Sequence, residues 1–253
     1  MSSSVVTPEL EYSDECVAYL MNKEKTRRDF IDRSPQKDFR YDLVQRLHVL
    51  CECLNYSTRV KHLSVYLLDY FMDNHMIIDE NLELTVVCCL AISVKTEESD
   101  RTIKYKELLT ESDQYSMSEI LKMESIILEF FEWQLLMPTA ATYIDYFSHT
   151  CLPEVDLNDN KTKQVIDKYL DKTLDIQFYR FRPSLIAAAT IYYTRNKHQL
   201  VPYWPRYALN ITKYTVNELM DCINELKKFD FLTKPSKRCI QLNDSGFDEL
   251  LKF

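Results

Sequence analysis

Two charged residues stand out because of the residues around them. Lys95 closes a run that is apolar on nearly every face, LELTVVCCLAISV (82–94), and Glu97 and Glu98 follow it. Glu124 lies among the large apolar residues of SEILKMESIILEFFEW. An ammonium donates hydrogen bonds and a carboxylate accepts them. A lysine at the rim of one helix and a glutamate on the next can therefore clamp a partner's backbone through charge-assisted bonds, which are stronger than neutral ones. On these residues alone an ordinary surface pair, contributing little, is the simpler account. Both charges are expected to reach solvent, so truncating either should cost within about 0.5 kcal/mol of stability.

His48, Cys51 and Cys53 fall close together on one predicted helix. Zinc calls for four ligands at compatible spacing. His48 and Cys51 share a face, Cys53 points elsewhere, and no fourth ligand is evident, so the expectation is packing, with no metal and no cofactor. The histidines at 48, 62, 75, 149 and 198 are scattered and form no nucleophile–base arrangement. Ser34-Pro35 has the form of a proline-directed phosphorylation site, a common dipeptide in loops. The chain has a single glycine, Gly246. That excludes the glycine-rich phosphate-cradling fingerprints and disfavours tight β-hairpins.

The elements that must carry these residues read as helices. Ser13 is a candidate N-cap for a helix reaching about Arg28, and Pro35 marks a break at 32–38. Leu43, Leu47 and Leu50 begin a dense pattern, and Leu63, Tyr66, Leu67, Tyr70 and Phe71 continue it at helical spacing. The run 82–94 should be surrounded by neighbours. Ile120, Met123, Ile127, Phe130 and Phe131 line a further stripe. Pro138 ends this unit. In the next, paired apolar residues from Val165 to Phe178 predict one helix, and Pro183 suits the first turn of SLIAAATIYYTR. Pro202 and Pro205 bracket Trp204 in a turn. The expected organisation is an N-terminal tail and helix (1–36), a first unit (37–137), a second unit (138–231) and a C-terminal tail (232–253). The net charge is −8, which disfavours direct nucleic-acid binding. No apolar run reaches the roughly 20 residues that cross a bilayer. Most of the eight cysteines lie in apolar runs, as reduced thiols do.

Five collinear segments resemble the cyclin box. RVKHLSVYLLDYFMDN (59–74) is similar to its second helix, with Leu67, Leu68, Asp69 and Phe71 as the core pattern. AISVKTEE (91–98) is similar to the family's ASKxEE segment, with Val94 in place of a small residue. MESIILEFFEWQLLMPTAATYIDYF (123–147) resembles the stretch that closes one box and enters the next. FRPSLIAAATIYYTR (181–195) and WPRYALNITKYTVNELMDCINEL (204–226) resemble parts of a second box.

The resemblance implies an all-α fold of two tandem cyclin boxes, with the N-terminal helix packed across their junction. It implies a non-catalytic subunit that binds and activates a cyclin-dependent kinase in cell-cycle control, as a heterodimer, in nucleus and cytoplasm; alone the chain would be monomeric. Lys95 and Glu124 match the residues that hold the segment around the kinase's C-helix. Arg40, Asp69 and Leu84 match supporting positions, and an Arg–Asp pair can tie two helices bidentately. Phe39, Arg40, Leu43 and Leu47 match a substrate-docking patch. The patch lacks its tryptophan, because Arg46 stands there; an arginine is expected to repel basic docking peptides and remove the apolar floor. The alternative reading is a transcription-factor-like cyclin-fold adaptor without kinase activation.

Overall fold

A computed structural model describes residues 8–109, 115–154 and 159–232. All regular structure among them is helical. Helix α1 (Pro8–Lys23) leads through a short 3-10 turn (Glu24–Thr26) into an irregular strap. The first unit then comprises α2 (Arg40–Cys53), α3 (Thr58–Asn74), α4 (Leu82–Glu97), α5 (Tyr105–Leu108) and α6 (Met117–Phe130). The second comprises α7 (Ala140–Cys151), α8 (Asn160–Lys172), α9 (Pro183–Lys197), α10 (Arg206–Thr212) and α11 (Val216–Leu232).

Each unit is built around a helix buried on all sides. Helix α4 packs against α2, α3 and α6, and its run from Leu84 to Val94 is buried throughout. Two hydroxyls inside it, Thr85 and Ser93, bond back to the carbonyls of Asn81 and Cys89, both at 2.8 Å, so neither is left unsatisfied. Helix α9 plays the same part among α7, α8, α10 and α11. Ala187, Ala188 and Ala189 let its neighbours approach closely, and Thr190 and Thr194 bond back in the same way. Pro183 occupies the first turn of α9, where its missing N–H has no consequence. Ser116 caps α6 and Thr139 caps α7, each through a capping box.

Two expectations about helix limits are corrected. Helix α1 starts at Pro8, so Ser13 is an interior residue, and the helix ends at Lys23 instead of Arg28. The apolar period from Val165 to Phe178 does not form one helix. Helix α8 stops at Lys172, where the Thr173 hydroxyl bonds to the Leu170 carbonyl at 2.7 Å. The Asp175 carboxylate then accepts from the Gln177 N–H at 3.1 Å and starts a 3-10 helix, Ile176–Arg180. Short polar side chains compete with the helical ladder for backbone partners. The expected C-terminal tail lies almost wholly outside the described residues.

The N-terminal segment packs across the junction of the two units. Val17 of α1 joins the second core. The buried Glu24 carboxylate accepts from the backbone N–H of Ser184 at 3.1 Å and from its hydroxyl at 2.6 Å, in the first turn of α9, where an anion suits the helix dipole. The Arg27 guanidinium lies 4.6 Å from the ring centroid of Tyr66 and 5.8 Å from that of Tyr179, one residue from each unit. Six described residues hold positive φ: Asp32, Asn55, Glu132, Trp133, Gln199 and Lys213.

Candidate functional site

Helix α4 brings Lys95 to its last turn and α6 brings Glu124 to the facing turn. They meet directly: Lys95 Nζ lies 2.8 and 2.7 Å from the two Glu124 carboxylate oxygens. Tyr105 of α5 completes the group. Its hydroxyl accepts from Lys95 at 2.8 Å and donates to Glu124 at 2.7 Å. Burial works against the Lys95 ammonium, but Glu124 and Tyr105 outweigh it and raise the lysine above its ordinary pKa. The side chains differ sharply in exposure, at 48% for Lys95 and 6% for Glu124. The expectation that both charges stand in solvent is therefore corrected for Glu124. Its carboxylate is covered because Ile120 and Ile127, at helical spacing on either side, turn the same face of α6 into the core. Met117, Leu121, Glu124 and Leu128 form a stripe along α6, with Met117 and Leu121 exposed. Trp133 and Leu136, beyond the helix end, are exposed as well.

Arg40 and Asp69 form a bidentate pair, with both contacts at 2.8 Å. They do more than tie α2 to α3. Arg40 Nη2 also donates to the Leu174 carbonyl at 2.7 Å, and the Tyr179 hydroxyl donates to Asp69, so the pair joins the two units. Burial pushes the Asp69 carboxyl up against the opposing pull of Arg40 and Tyr179. Leu84 is a core residue of α4.

The residues matching a docking patch do not make one surface. Phe39 is partly exposed at the N-cap of α2, while Leu43 and Leu47 are buried in the first core. Arg46 pairs with Glu83 at 2.6 Å and donates to the Leu108 carbonyl at 3.2 Å. Glu83 thus offsets the charge from which repulsion of a basic peptide is expected, and with Leu43 and Leu47 buried no apolar floor is open at this face.

His48 does not gather with the cysteines. Cys51 is buried, with its thiol pushed up to about 12 by burial, and Cys53 is exposed. His48 instead approaches Glu52 and Asp171. The Lys61 ammonium lies among these three, 3.4 Å from His48 Nδ1, 3.1 Å from Glu52 and 2.8 Å from Asp171, in the place a cation would take. This group adds a second polar tie between the units. Sequence reasoning missed Lys61 and also Arg195. The latter is buried in the second core, where it bonds Glu154 and the Cys151 and Pro202 carbonyls. Their immediate neighbours gave no signal, since Lys61 lies between Val60 and His62 beside Arg59, and Arg195 is followed by Asn196 and Lys197.

The cyclin N-terminal domain family matches residues 15–136, and the cyclin C-terminal domain family matches residues 138–242. The chain belongs to the cyclin family. Cyclins are in general regulatory, non-catalytic partners of cyclin-dependent kinases. Cyclin-J of Xenopus laevis is 31% identical over 226 residues, covering 82% of this chain and 59% of that protein. Cyclin-J of Homo sapiens is 30% identical over 221 residues, covering 82% and 58% respectively. This cyclin thus spans a little under three fifths of the length of those relatives. A viral cyclin from herpesvirus saimiri superimposes with a TM-score of 0.71 at 18% identity, over 84% of this chain and 95% of that one, a likeness of fold. Among the described residues, no helix is long and apolar enough to cross a membrane.

Proposed function

We propose that this cyclin binds and activates a cyclin-dependent serine/threonine kinase in cell-cycle control, in nucleus and cytoplasm, through the surface around Lys95 and Glu124. The observation that carries the reading is the Lys95–Tyr105–Glu124 group beside the exposed apolar stripe of α6. Such a surface suits an amphipathic helix: apolar side chains settle on Met117, Leu121 and Trp133, and the charged group meets backbone at the helix end. On docking, Lys95 gives N–H donors to partner carbonyls while Glu124 accepts from partner N–H groups.

The cyclin itself transfers no phosphate. It binds the active kinase conformer better than the inactive one and so enriches it. The kinase's own Lys–Glu ion pair and metal-binding aspartate then stand in place for phosphoryl transfer. The test is affinity capture with identification of the bound kinase, followed by a kinase assay with Lys95→Ala/Glu124→Ala. In the complex both groups are desolvated, and truncating such contacts costs roughly 2–5 kcal/mol, a weakening of about 30-fold or more. A folded double variant that activates the kinase fully overturns the assignment. Capture of a transcription complex and no kinase would favour the adaptor reading.

A further inference from the structure

Ser34 lies in a strap between the 3-10 turn after α1 and the start of α2, and it carries a motif that cyclin membership leaves unused. The sequence reads Ser34-Pro35-Gln36-Lys37, a hydroxyl followed by proline and, three residues on, a base. Proline fixes its own φ and biases the preceding residue to extended backbone, but residues 35–39 are in turns and the Lys37 N–H bonds to the Ser34 carbonyl at 3.3 Å, so the extended shape that a kinase cleft takes is reached only when this turn opens. Pro35 and Lys37, the two recognition elements, are exposed. The acceptor hydroxyl is not: Ser34 is 9% exposed. Its Oγ accepts from the Gln36 N–H at 3.2 Å and meets Gln36 Oε1 at 3.3 Å.

Residues 27–30 of the strap pack on the first core, with Phe30 4.3 Å from the Tyr179 ring centroid, whereas the side-chain contacts that hold residues 31–36 are polar. The Asp73 carboxylate, at the end of α3, accepts from the N–H groups of Ile31 at 3.0 Å and Arg33 at 2.6 Å. The Gln36 side-chain amide donates to the Ile77 carbonyl at 3.2 Å. The backbone from 27 to 34 has no helical hydrogen bonding to preserve. Opening this latch would present Ser34 while Arg27 and Phe30 stay packed on the first core.

We propose that Ser34 is a phosphorylation site for a proline-directed kinase, gated by the Asp73 and Gln36 latch, and that its modification releases the strap. In the step, the bond from Pγ of ATP to its bridging oxygen breaks as a bond from Pγ to Ser34 Oγ forms. ADP leaves, and the hydroxyl proton passes to the kinase's catalytic aspartate. The product carries close to two negative charges one residue from the N–H that Asp73 holds, so repulsion and desolvation oppose reclosure. The proposal goes beyond the kinase-binding reading and stands without it, because the kinase can be supplied in trans.

The experiment incubates the full chain with ATP and a purified, already active proline-directed kinase, and maps phosphate by mass spectrometry. Thr7-Pro8 is the other such dipeptide; Leu10 stands where Ser34 has Lys37, and Thr7 serves as an internal reference. Ser34 should be modified in the wild type, and about tenfold faster in Asp73→Asn and in Gln36→Ala, the gain from loosening a latch by one or two hydrogen bonds. Thr7 should be unaffected. The phosphorylated chain should be cut faster by trypsin at Lys37, which lies beyond the phosphate and off the first core. If a free peptide of residues 28–40 is phosphorylated while Ser34 stays unmodified in the wild type and both variants, the site is shielded and the proposal fails. Phosphate on Ser34 with unchanged tryptic cleavage overturns the release.

Discussion

The Glu124 carboxylate is covered while its ammonium partner is half in water, and that asymmetry separates two otherwise equivalent mutations. Lys95→Ala leaves a buried carboxylate with Tyr105 as its remaining side-chain donor. It should cost about 1–2 kcal/mol, less than a fully buried broken pair because water reaches Lys95. Glu124→Ala leaves a lysine that solvent can satisfy and should cost less. The double variant should be more stable than Lys95→Ala alone, since both charges then leave together. Urea melts of the three proteins measure the coupling, and an additive result would show the pair is not coupled. His62 gives a second prediction at this scale. Burial, assisted by Lys61, lowers its pKa to about 3. In the unfolded chain the ring takes a proton near 6.5. The folded state binds that proton only near 3, so stability falls as pH drops from about 6.5 toward 3, by up to about 1.4 kcal/mol per pH unit. His62→Gln should flatten this slope in melts across that range; equal slopes would mean the ring titrates normally when folded.

Helices whose apolar residues recur at 3.6 spacing were legible before any coordinates. Helices α3 and α6 sit where their stripes predict, because each buries that stripe against neighbours, and α4, apolar on nearly every face, sits where neighbours surround it, as α9 does in the second unit. Their ends were less legible. Thr173 and Asp175 divert backbone bonds at the end of α8, and nothing in the apolar period of that segment reports this. The site divides in the same way. Lys95 and Glu124 could be read from motif and position. Tyr105 could not, because it reaches the pair from a four-residue helix beyond a loop. The burial of Glu124 depends on how α6 is rotated against α4, a tertiary property. On α2 the sequence showed the missing tryptophan but not the Arg46–Glu83 pair. Arginine–x–leucine peptides should therefore show no micromolar binding to the Leu43–Leu47 face in fluorescence anisotropy. Arg46→Ala should not restore binding, because it exposes no apolar floor; a gain in affinity would favour the repulsion account.

The molecule has two hydrophobic cores but one seam of buried polar ties between them. Arg40, Asp69, Tyr179 and the Leu174 carbonyl form one tie, and Lys61 with Asp171 another. Removing one partner of a buried pair strands the other, at a cost of roughly 3–5 kcal/mol. The wild type should therefore unfold in a single calorimetric transition. Arg40→Ala should lower the midpoint and split the transition in two, as the units lose the larger of these ties. One undivided transition in that variant would show that the Lys61–Asp171 tie and apolar contact are enough to couple the cores.

The six positive-φ residues also mark an engineering opportunity. Such backbone suits glycine, yet each position carries a side chain whose Cβ crowds the neighbouring carbonyl, at roughly 1–2 kcal/mol for an ordinary residue. The chain has thus left a reserve of thermal robustness unused. Lys213, which ends α10, and Gln199, just beyond α9, lie away from the Lys95–Glu124 surface. Lys213→Gly and Gln199→Gly should each raise stability by about 0.5–1 kcal/mol once glycine's larger unfolded-state entropy is subtracted. Together they should lift the melting temperature by a few degrees. A protein so poor in glycine could in this way be hardened for biophysical work by adding the residue most often removed for that purpose.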